Sequence, residues 1–531
     1  MAPAKPKSFT TRPATIAAID IGSNAVRFAL ARVDSKRNLQ IIEERRRPTR
    51  LGANLASGKP LPRTGVKATI AAVKEFCFDA MRHGTSATRL VATAAVRESP
   101  DGPAFVRRLT GEVGLPVEII GPDEEARLAF ASCRASFDLR RGHVAIVDIG
   151  GGSVQVSFAN RGILYESVSM PLGAVRLTSM FSSESAGARK DPFARMKKHI
   201  HNTIRERLPI GNLQPTAIIG CGGTFATIGT LLGDFAGQRS LAPVLARGAR
   251  SVARSGHAAR DLIDLVASVE KLDASKRAEM LRKSDIPADR ADILPAGLIV
   301  ARALVRHLGV KSFVAHAGGV RDGLLREMAG PAEPGGIIEQ AHALARVGDE
   351  DRAHSEHVAH LAVALLHDLA DADRVREILS DRPDATELLE SAALLHDLGV
   401  PIDYERHHKV SRRIIELAHW PGTDPLLRAM IANIARYHRK SLPTERHAPY
   451  AALSARARQV VRVLAGVLRI ADGLDRSHTQ TTSGIRVRID RSAVEIAAEG
   501  VRAGSPNIRA AFKKSDLLAA VIRRTITVIP G

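Results

Sequence analysis

The chain has 531 residues, too many for one hydrophobic core, and its length points to about three or four domains. Apolar residues make up 45% and charged residues 25%, ordinary values for a globular protein, and no apolar run reaches the ~18 residues that a membrane helix needs. Lysine and arginine number 77 against 56 acidic residues, a formal charge of +21 that favours polyanionic partners. Aromatics, at 4%, are too sparse for base-stacking platforms, which argues against specific nucleic-acid binding.

The first 13 residues, MAPAKPKSFTTRP, are basic and proline-containing without an apolar core. They read as a disordered tail rather than a secretory signal, and a cytoplasmic location is expected. Cys77, Cys133 and Cys221 are odd in number and far apart in the sequence, so buried thiols are expected rather than disulfides or a zinc knuckle.

Two segments share one design: IAAIDIGSNAVRFALARV (16–33) and VAIVDIGGGSVQVSF (144–158). Each is an apolar strand, an Asp-Ile-Gly turn with a small polar residue, and an alternating strand. In the second, Val154, Val156 and Phe158 are expected to face one way and Gln155 and Ser157 the other. Roughly a domain's length separates Asp20 from Asp148, so two similar domains with their turns facing a shared cleft are expected.

Strand-then-helix units fill the intervals. RLVATAAVRES ends a strand near Thr93 and brings up Arg97. VEIIGPDEEARLAF is a strand, a turn and a helix with acids in its first turn. TAIIGCGGTFATIGTLL and FVAHAGGVRDGLLREM repeat that form around Gly222-Gly223 and Gly318-Gly319. Alternating elements imply α/β sheets. AGPAEPGG then signals a linker, predicted over 329–340. Helical periodicity follows, with Val358, Leu361, Leu365 and Leu369 on one stripe, and predicts an all-α domain over 341–478. A hairpin and a helix suggest a small α+β domain over 479–531.

Converging amides in a glycine-rich turn form an anion site, and glycine supplies positive φ and close approach. DIGSN (Asp20, Gly22, Ser23, Asn24) and DIGGGS (Gly150, Gly151, Gly152, Ser153) are therefore candidate phosphate cradles. An acid in such a turn repels phosphate unless a cation lies between them, and Mg²⁺ suits Asp148. A carboxylate of the Glu124-Glu125 pair can activate water, although the spacing alone fits an acidic first helical turn. Arg97 can clamp a phosphate or form an ion pair.

In order and spacing, AAIDIGSNAVRF, RLG (50–52), VATAAVRE, GPDEEARLAF, VDIGGGSVQV, GCGGTFATI, RADILPAGLIV and GGVRDGLL resemble the exopolyphosphatase/guanosine pentaphosphate phosphatase family of the actin-like superfamily. The resemblance implies two actin-like, ribonuclease H-like domains, over 14–135 and 136–328, in an α/β fold. It implies Glu125 as general base, Arg97 as phosphate clamp and Asp148 as the Mg²⁺ (or Mn²⁺) carboxylate. Asp20, Ser23, Asn24, Gly150, Gly151, Gly152 and Ser153 would hold phosphate, with Gly222 and Gly223 in the superfamily's nucleotide-side turn. The family usually has Glu where this chain has Gln155. An amide can still ligate a metal or its water, but without charge.

The helical region, with HSEHVAHLA and AALLHDLGVPIDYERHHKVSRRII, resembles the HD phosphohydrolase fold. His354, His396, Asp397 and Asp472 are ligand types for an additional divalent metal, and His407 or His408 with His438 can extend the set, although the family resemblance implies first a structural or substrate-guiding role for this domain. Arg439, Lys440 and Arg446 are expected to line a basic channel. The resemblance implies hydrolysis of the terminal phosphate of inorganic polyphosphate, with guanosine pentaphosphate as the alternative substrate, and a homodimer. Sugar-kinase-type transfer and a non-catalytic polyphosphate sensor are the rival classes.

Overall fold

The computed structural model describes residues 14–140, 142–182, 191, 193–209, 214–234, 256–330, 335–348 and 350–531. The expected N-terminal tail lies outside them. The chain divides into two compact units, Met1–Gly162 with Ser167–Ala332 and Ile163–Glu166 with Glu333–Gly531.

The first unit holds two sheets, except that Ile163–Glu166 of the second sheet's β8 are grouped with the second unit. β1 (Ala14–Ile21), β2 (Ala25–Val33), β3 (Leu39–Pro48), β4 (Ala87–Ala92) and β5 (Val117–Ile119) form one, in the order β3-β2-β1-β4-β5. β1–β2 and β2–β3 are antiparallel, whereas β1–β4 and β4–β5 are parallel. The second sheet contains β6 (His143–Ile149), β7 (Val154–Asn160), β8 (Ile163–Met170), β9 (Ala217–Cys221), β10 (His257–Ala258) and β11 (Ser312–Ala315). Its order, β10-β11-β9-β6-β7-β8, repeats the first, with β6 taking the place of β1, β9 that of β4 and β11 that of β5. Two copies of a ribonuclease H-like sheet are the actin-like architecture, so the internal repeat seen in the sequence is a repeat of topology.

Both faces of these sheets are covered, which is why their central strands are nearly continuous apolar runs. On one face of the first sheet, Ile19, Ile21, Val26, Phe28 and Leu30 pack with Val73, Phe76 and Leu109. Phe28 and Phe76 stack with centroids 5.1 Å apart. The residues between them on the strands, Ile16, Ala18, Ala29 and Ala31, point to the other face, following the two-residue period of a strand. There they meet Leu128 of helix Pro122–Ser136 and Val320, Leu324 and Leu325 of helix Val320–Met328. This last helix of the unit therefore completes the core of the first sheet, although its sequence position suggested the second domain. In β7, Gln155 and Ser157 are as buried as Val154, Val156 and Phe158, so the expected polar face does not reach solvent.

In the second unit, helix Ile337–Gly348 begins inside the predicted linker. Helix Arg352–Asp368 is capped by Asp351, whose carboxylate accepts from His354 N at 3.3 Å. Val358, Leu361, Leu365 and Leu369 are buried as one stripe. Helices Ala385–Leu395, His407–Leu417, Pro425–Arg436 and Ala455–Leu474 complete the main bundle. The last of these is amphipathic in its first turns and buried throughout from Val463 to Leu474, as a central helix must be. The C-terminal segment forms the sheet β12-β13-β14 (Gly484–Ile489, Ala493–Glu499, Thr525–Pro530). The expected terminal helix is two helices, Pro506–Lys514 and Asp516–Ile522, and β14 was not anticipated. Among the described residues, no helix is long and apolar enough to cross a membrane.

Candidate active site

The turns that end β1 and β6 face one cleft of about 700 Å³, open solvent included. Asp20, Gly22, Ser23, Asn24, Glu125, Asp148, Gly150, Gly151, Gly152, Ser153, Gln155, Gly222 and Gly223 all line it, so residues some 200 positions apart in the chain converge on one hollow. The two sheets supply equivalent corners. Asp20 pairs with Arg27 across β1–β2, and Asp148 pairs with Gln155 across β6–β7. In each copy the partner lies seven residues after the acid.

Sequence reasoning assigned the loop glycines positive φ, and this is corrected. Among the cleft-lining glycines only Gly222 has it, at 78°. The loop glycines are needed for close approach instead. A Cβ on Gly152 would lie 2.6 Å from Ser23 Oγ and 2.8 Å from Leu55 Cδ1. One on Gly151 would lie 3.1 Å from Asn24 N. The two phosphate-loop candidates touch each other, and side chains would push them apart. Gly222 has both constraints, since a Cβ there would come within 2.1 Å of Asp148 Oδ1.

The carbonyls of the DIGGGS turn are turned away from the cleft. Gly150 O accepts from Ala174 N at 3.0 Å, Gly151 O from Val175 N at 2.9 Å, and Gly152 O from Arg176 Nε at 2.7 Å. Arg176 also donates to Glu98 at 2.6 Å. Among the described residues, the amides of Gly151, Gly152 and Ser153 donate to no backbone carbonyl, which is the arrangement an anion nest requires. In the first turn, Ser23 O and Asn24 O are tied to the amides of Gly52 (2.8 Å) and Arg50 (3.0 Å). This is the structural use of the RLG triplet.

Glu125 stands in the first turn of helix Pro122–Ser136 and is buried. Its Oε1 accepts from Arg97 Nη1, which also donates to Ile120 O at 2.6 Å. Arg97 is thus held on Glu125 and does not line the cleft. Burial pushes the Glu125 carboxyl up to about 7; Arg97 opposes this, and Asp148 and Asp20 add to it. Glu124 instead pairs with Arg127. Asp148 is pushed up to about 6, first by burial, with Arg27 lowering it and Asp20 raising it. Burial also raises Asp20, against the pull of Arg27 and Arg321.

Arg27 and Arg46 also line the cleft and were not singled out in the sequence. Arg46 is paired with Asp289 at 2.8 Å. Arg27 had a legible signal, its repeat-equivalence to Gln155. Arg290, donating to Gly223 O, to Thr227 Oγ1 at 2.6 Å and held down to about 9 by burial and by Arg27 and Arg46, had none. Cys133 and Cys221, distant in sequence, bring their sulfurs to 3.4 Å as free, buried thiols, whereas Cys77 is half-buried.

In the second unit, His354, His396 and Asp397 cluster, and Asp472 Oδ1 lies 3.8 Å from His354 Nε2. Of the two histidines offered as extensions, His407 joins His438 and Asp397, while His408 is not in that group. Arg439 lies against His407, Lys440 donates to Glu405 O at 2.6 Å, and Arg446 is exposed.

Residues 29–331 match the model of the Ppx/GppA phosphatase family, and 339–499 match domain III of the same family. The chain belongs to the Ppx/GppA phosphatase family. Over 331 residues it is 26% identical to exopolyphosphatase 1 of Mycobacterium tuberculosis, covering 61% of this chain and 91% of that one. Over 447 residues it is 25% identical to a guanosine-5'-triphosphate,3'-diphosphate pyrophosphatase of Vibrio vulnificus, covering 81% and 82%. An exopolyphosphatase structure from Cytophaga hutchinsonii shares the fold at TM-score 0.52 and 19% identity, covering 59% of this chain and 97% of that one. The family and its fold are thus those implied by the motifs, and Ppx/GppA members are phosphatases.

Proposed function

We propose that this Ppx/GppA phosphatase is an exopolyphosphatase, releasing the terminal phosphate of inorganic polyphosphate. The observation that carries the reading is the placement of Glu125: a buried carboxyl poised near 7, beside two amide-lined turns and two further acids in one cleft.

The donor set suits a hard cation. Asp20 Oδ1, Asn24 Oδ1 and both amide atoms of Gln155 are buried without hydrogen-bond partners. Oxygen donors of this kind fit Mg²⁺ (or Mn²⁺), with Asp148, Asp20 and Gln155 as the residues that would hold it. When bound, such an ion would neutralise charge on the phosphate oxygens.

The rest is done by the protein. The amides of Gly151, Gly152 and Ser153, with the hydroxyls of Ser23 and Ser153, cradle the terminal phosphate, and Arg27 adds positive charge. Glu125, its Oε1 held by Arg97, takes a proton from water at Oε2. The water oxygen bonds to the terminal phosphorus as the bridging P–O bond breaks, giving orthophosphate and a polymer shorter by one unit. Positioning and charge stabilisation carry most of this reaction. The formal charge of +21 suits a long anion.

A second reading, hydrolysis of guanosine pentaphosphate to tetraphosphate, is favoured by the more extensive match to the Vibrio pyrophosphatase. The test is phosphate release from long-chain polyphosphate and from guanosine pentaphosphate, with and without Mg²⁺, for wild type and Glu125→Gln. Preference for the polymer supports the first reading; a large preference for the nucleotide replaces it with the second.

A further inference from the structure

We infer that Arg176 is a positioning residue for the reaction proposed above, on which this inference rests. It aims the Ser153 amide into the cleft and, through Glu98, ties that amide to the turn of chain that presents Arg97 to Glu125.

The C=O and N–H of one peptide point in opposite directions from a rigid plane, so whatever binds the carbonyl aims the amide. Gly150 O, Gly151 O and Gly152 O share their planes with the amides of Gly151, Gly152 and Ser153. Glycines let such planes rotate easily, and a plane turned over would present an oxygen to the phosphate instead of a donor. The close contacts that demand glycine in this turn therefore create a need for outside restraint.

Two of the three planes are restrained by backbone at the start of helix Ala174–Phe181. Ala174 N donates to Gly150 O at 3.0 Å, and Val175 N and Arg176 N donate to Gly151 O at 2.9 and 3.1 Å. That helix start is seated directly on the turn, since a Cβ on Gly173 would lie 2.3 Å from both Gly151 O and Gly152 C. The third plane is restrained by a side chain. Arg176 Nε donates to Gly152 O at 2.7 Å, so the direction of Ser153 N–H depends on a group that substitution can remove.

The same guanidinium reaches the other half of the site. Its Nη2 donates to Glu98 Oε2 at 2.6 Å. Glu98 directly follows Arg97 and ends the short helix Ala94–Arg97, with its backbone N donating to Ala94 O at 3.0 Å. Arg97 in turn holds Glu125. Gly152 belongs to the turn after β6 in the second sheet, and Glu98 follows β4 of the first, so one side chain links the phosphate turn to the support of the general base. Arg176 is 8% exposed and neither it nor Glu98 lines the cleft, so Arg176 acts through the turn rather than on substrate. Both bonds leave one edge of a planar guanidinium, which makes them at once; the single ammonium of lysine keeps the charge and loses the fork.

The test measures kcat and KM on long-chain polyphosphate and on guanosine pentaphosphate, in Mg²⁺, with the full-length chain. Wild type is compared with Arg176→Lys, Arg176→Gln, Glu98→Ala and the double variant Arg176→Lys/Glu98→Ala, and the folded fraction is read by circular dichroism and gel filtration. On the better substrate, kcat should fall about 10²-fold in both Arg176 variants, as loss of one aimed donor does. KM should stay within about threefold, the pattern of an interaction made mainly in the transition state. Glu98→Ala should lower kcat less, and the double variant should be no slower than Arg176→Lys alone, because the two residues act as one link. Wild-type kcat in Arg176→Lys would show that charge suffices and would overturn the inference. So would a fall no larger than the loss of folded protein, or losses that multiply in the double variant. If the Arg176 variants do not fold, Glu98→Ala decides: lower kcat at unchanged KM supports the link and unchanged kcat overturns it. A wild type inactive on both substrates removes the proposed function and this inference with it, whereas an active wild type with unaffected variants removes the inference alone.

Discussion

Gln155→Glu would restore the acid usual in the family and place it directly opposite Asp148 in the β6–β7 register. Side chains so paired lie about 5 Å apart, and two charges at that distance repel by about 3 kcal/mol at an effective dielectric constant of 20. Asp148 is already pushed up to about 6, and Gln155 is only 3% exposed with no partner for its amide. An acid whose folded pKa is raised contributes its full stability below its unfolded pKa and loses it as pH rises through the folded value. In chelator, the variant should therefore come close to wild type at about pH 4, below the unfolded glutamate value, and melt a few degrees lower at pH 8. A bound divalent cation removes the repulsion, so half-saturation with Mg²⁺ at pH 8 should fall at least about tenfold. Thermal unfolding at both pH values, in chelator and across an Mg²⁺ series, reads both effects. Equal melting temperatures at pH 8 and unchanged Mg²⁺ half-saturation would refute the placement of the cation beside Asp148.

Glu125→Gln should lower phosphate release by about 10²–10⁴-fold while leaving polyphosphate binding nearly intact, as loss of a general base does. Because Glu125 sits near 7, wild-type turnover should rise with pH between about 6 and 8 and that rise should vanish in the variant; a flat wild-type profile would remove Glu125 from the base role. Gly152→Ala drives a methyl into Ser23 Oγ and Leu55 Cδ1, so turnover and unfolding free energy should both fall, by about 1–3 kcal/mol for the latter, and unchanged values would mean that the turns do not rely on contact. Affinity for long polyphosphate should drop steeply between low and physiological salt, measured by competition against a short oligophosphate; a shallow slope would deny the polymer a role for the chain's positive charge.

The repeated Asp-Ile-Gly hairpins were legible because strand alternation and turn chemistry are local, and both sheets follow from them. Asp20 and Asp148 were legible for the same reason, since each lies at the end of a strand, whereas Glu125 opens a helix. What the glycines do was not legible. Their constraint is contact between Gly152 and Ser23, two turns separated by a whole domain, whereas composition suggests only backbone freedom. For Arg97 a phosphate clamp and an ion pair were both open, and its contact with Glu125 is a tertiary fact that no local pattern encodes. The Cys133–Cys221 approach was hidden likewise, since one sulfur comes from a helix and the other from the end of β9 in the other sheet. Along β7, Gln155 and Ser157 are buried together with Val154, Val156 and Phe158, so alternation of residue type there does not separate a core face from a solvent face. His407 rather than His408 faces Asp397, a choice between neighbours that only a helix phase can make.

Helix Val320–Met328 covers the apolar residues on one face of the sheet that opens the chain. During synthesis on the ribosome, Ile16, Ala18, Ala29 and Ala31 must wait for some three hundred further residues before the part of their cover that this helix supplies emerges. A fragment ending before residue 320 should therefore leave much of that apolar face bare and aggregate more readily than the complete chain.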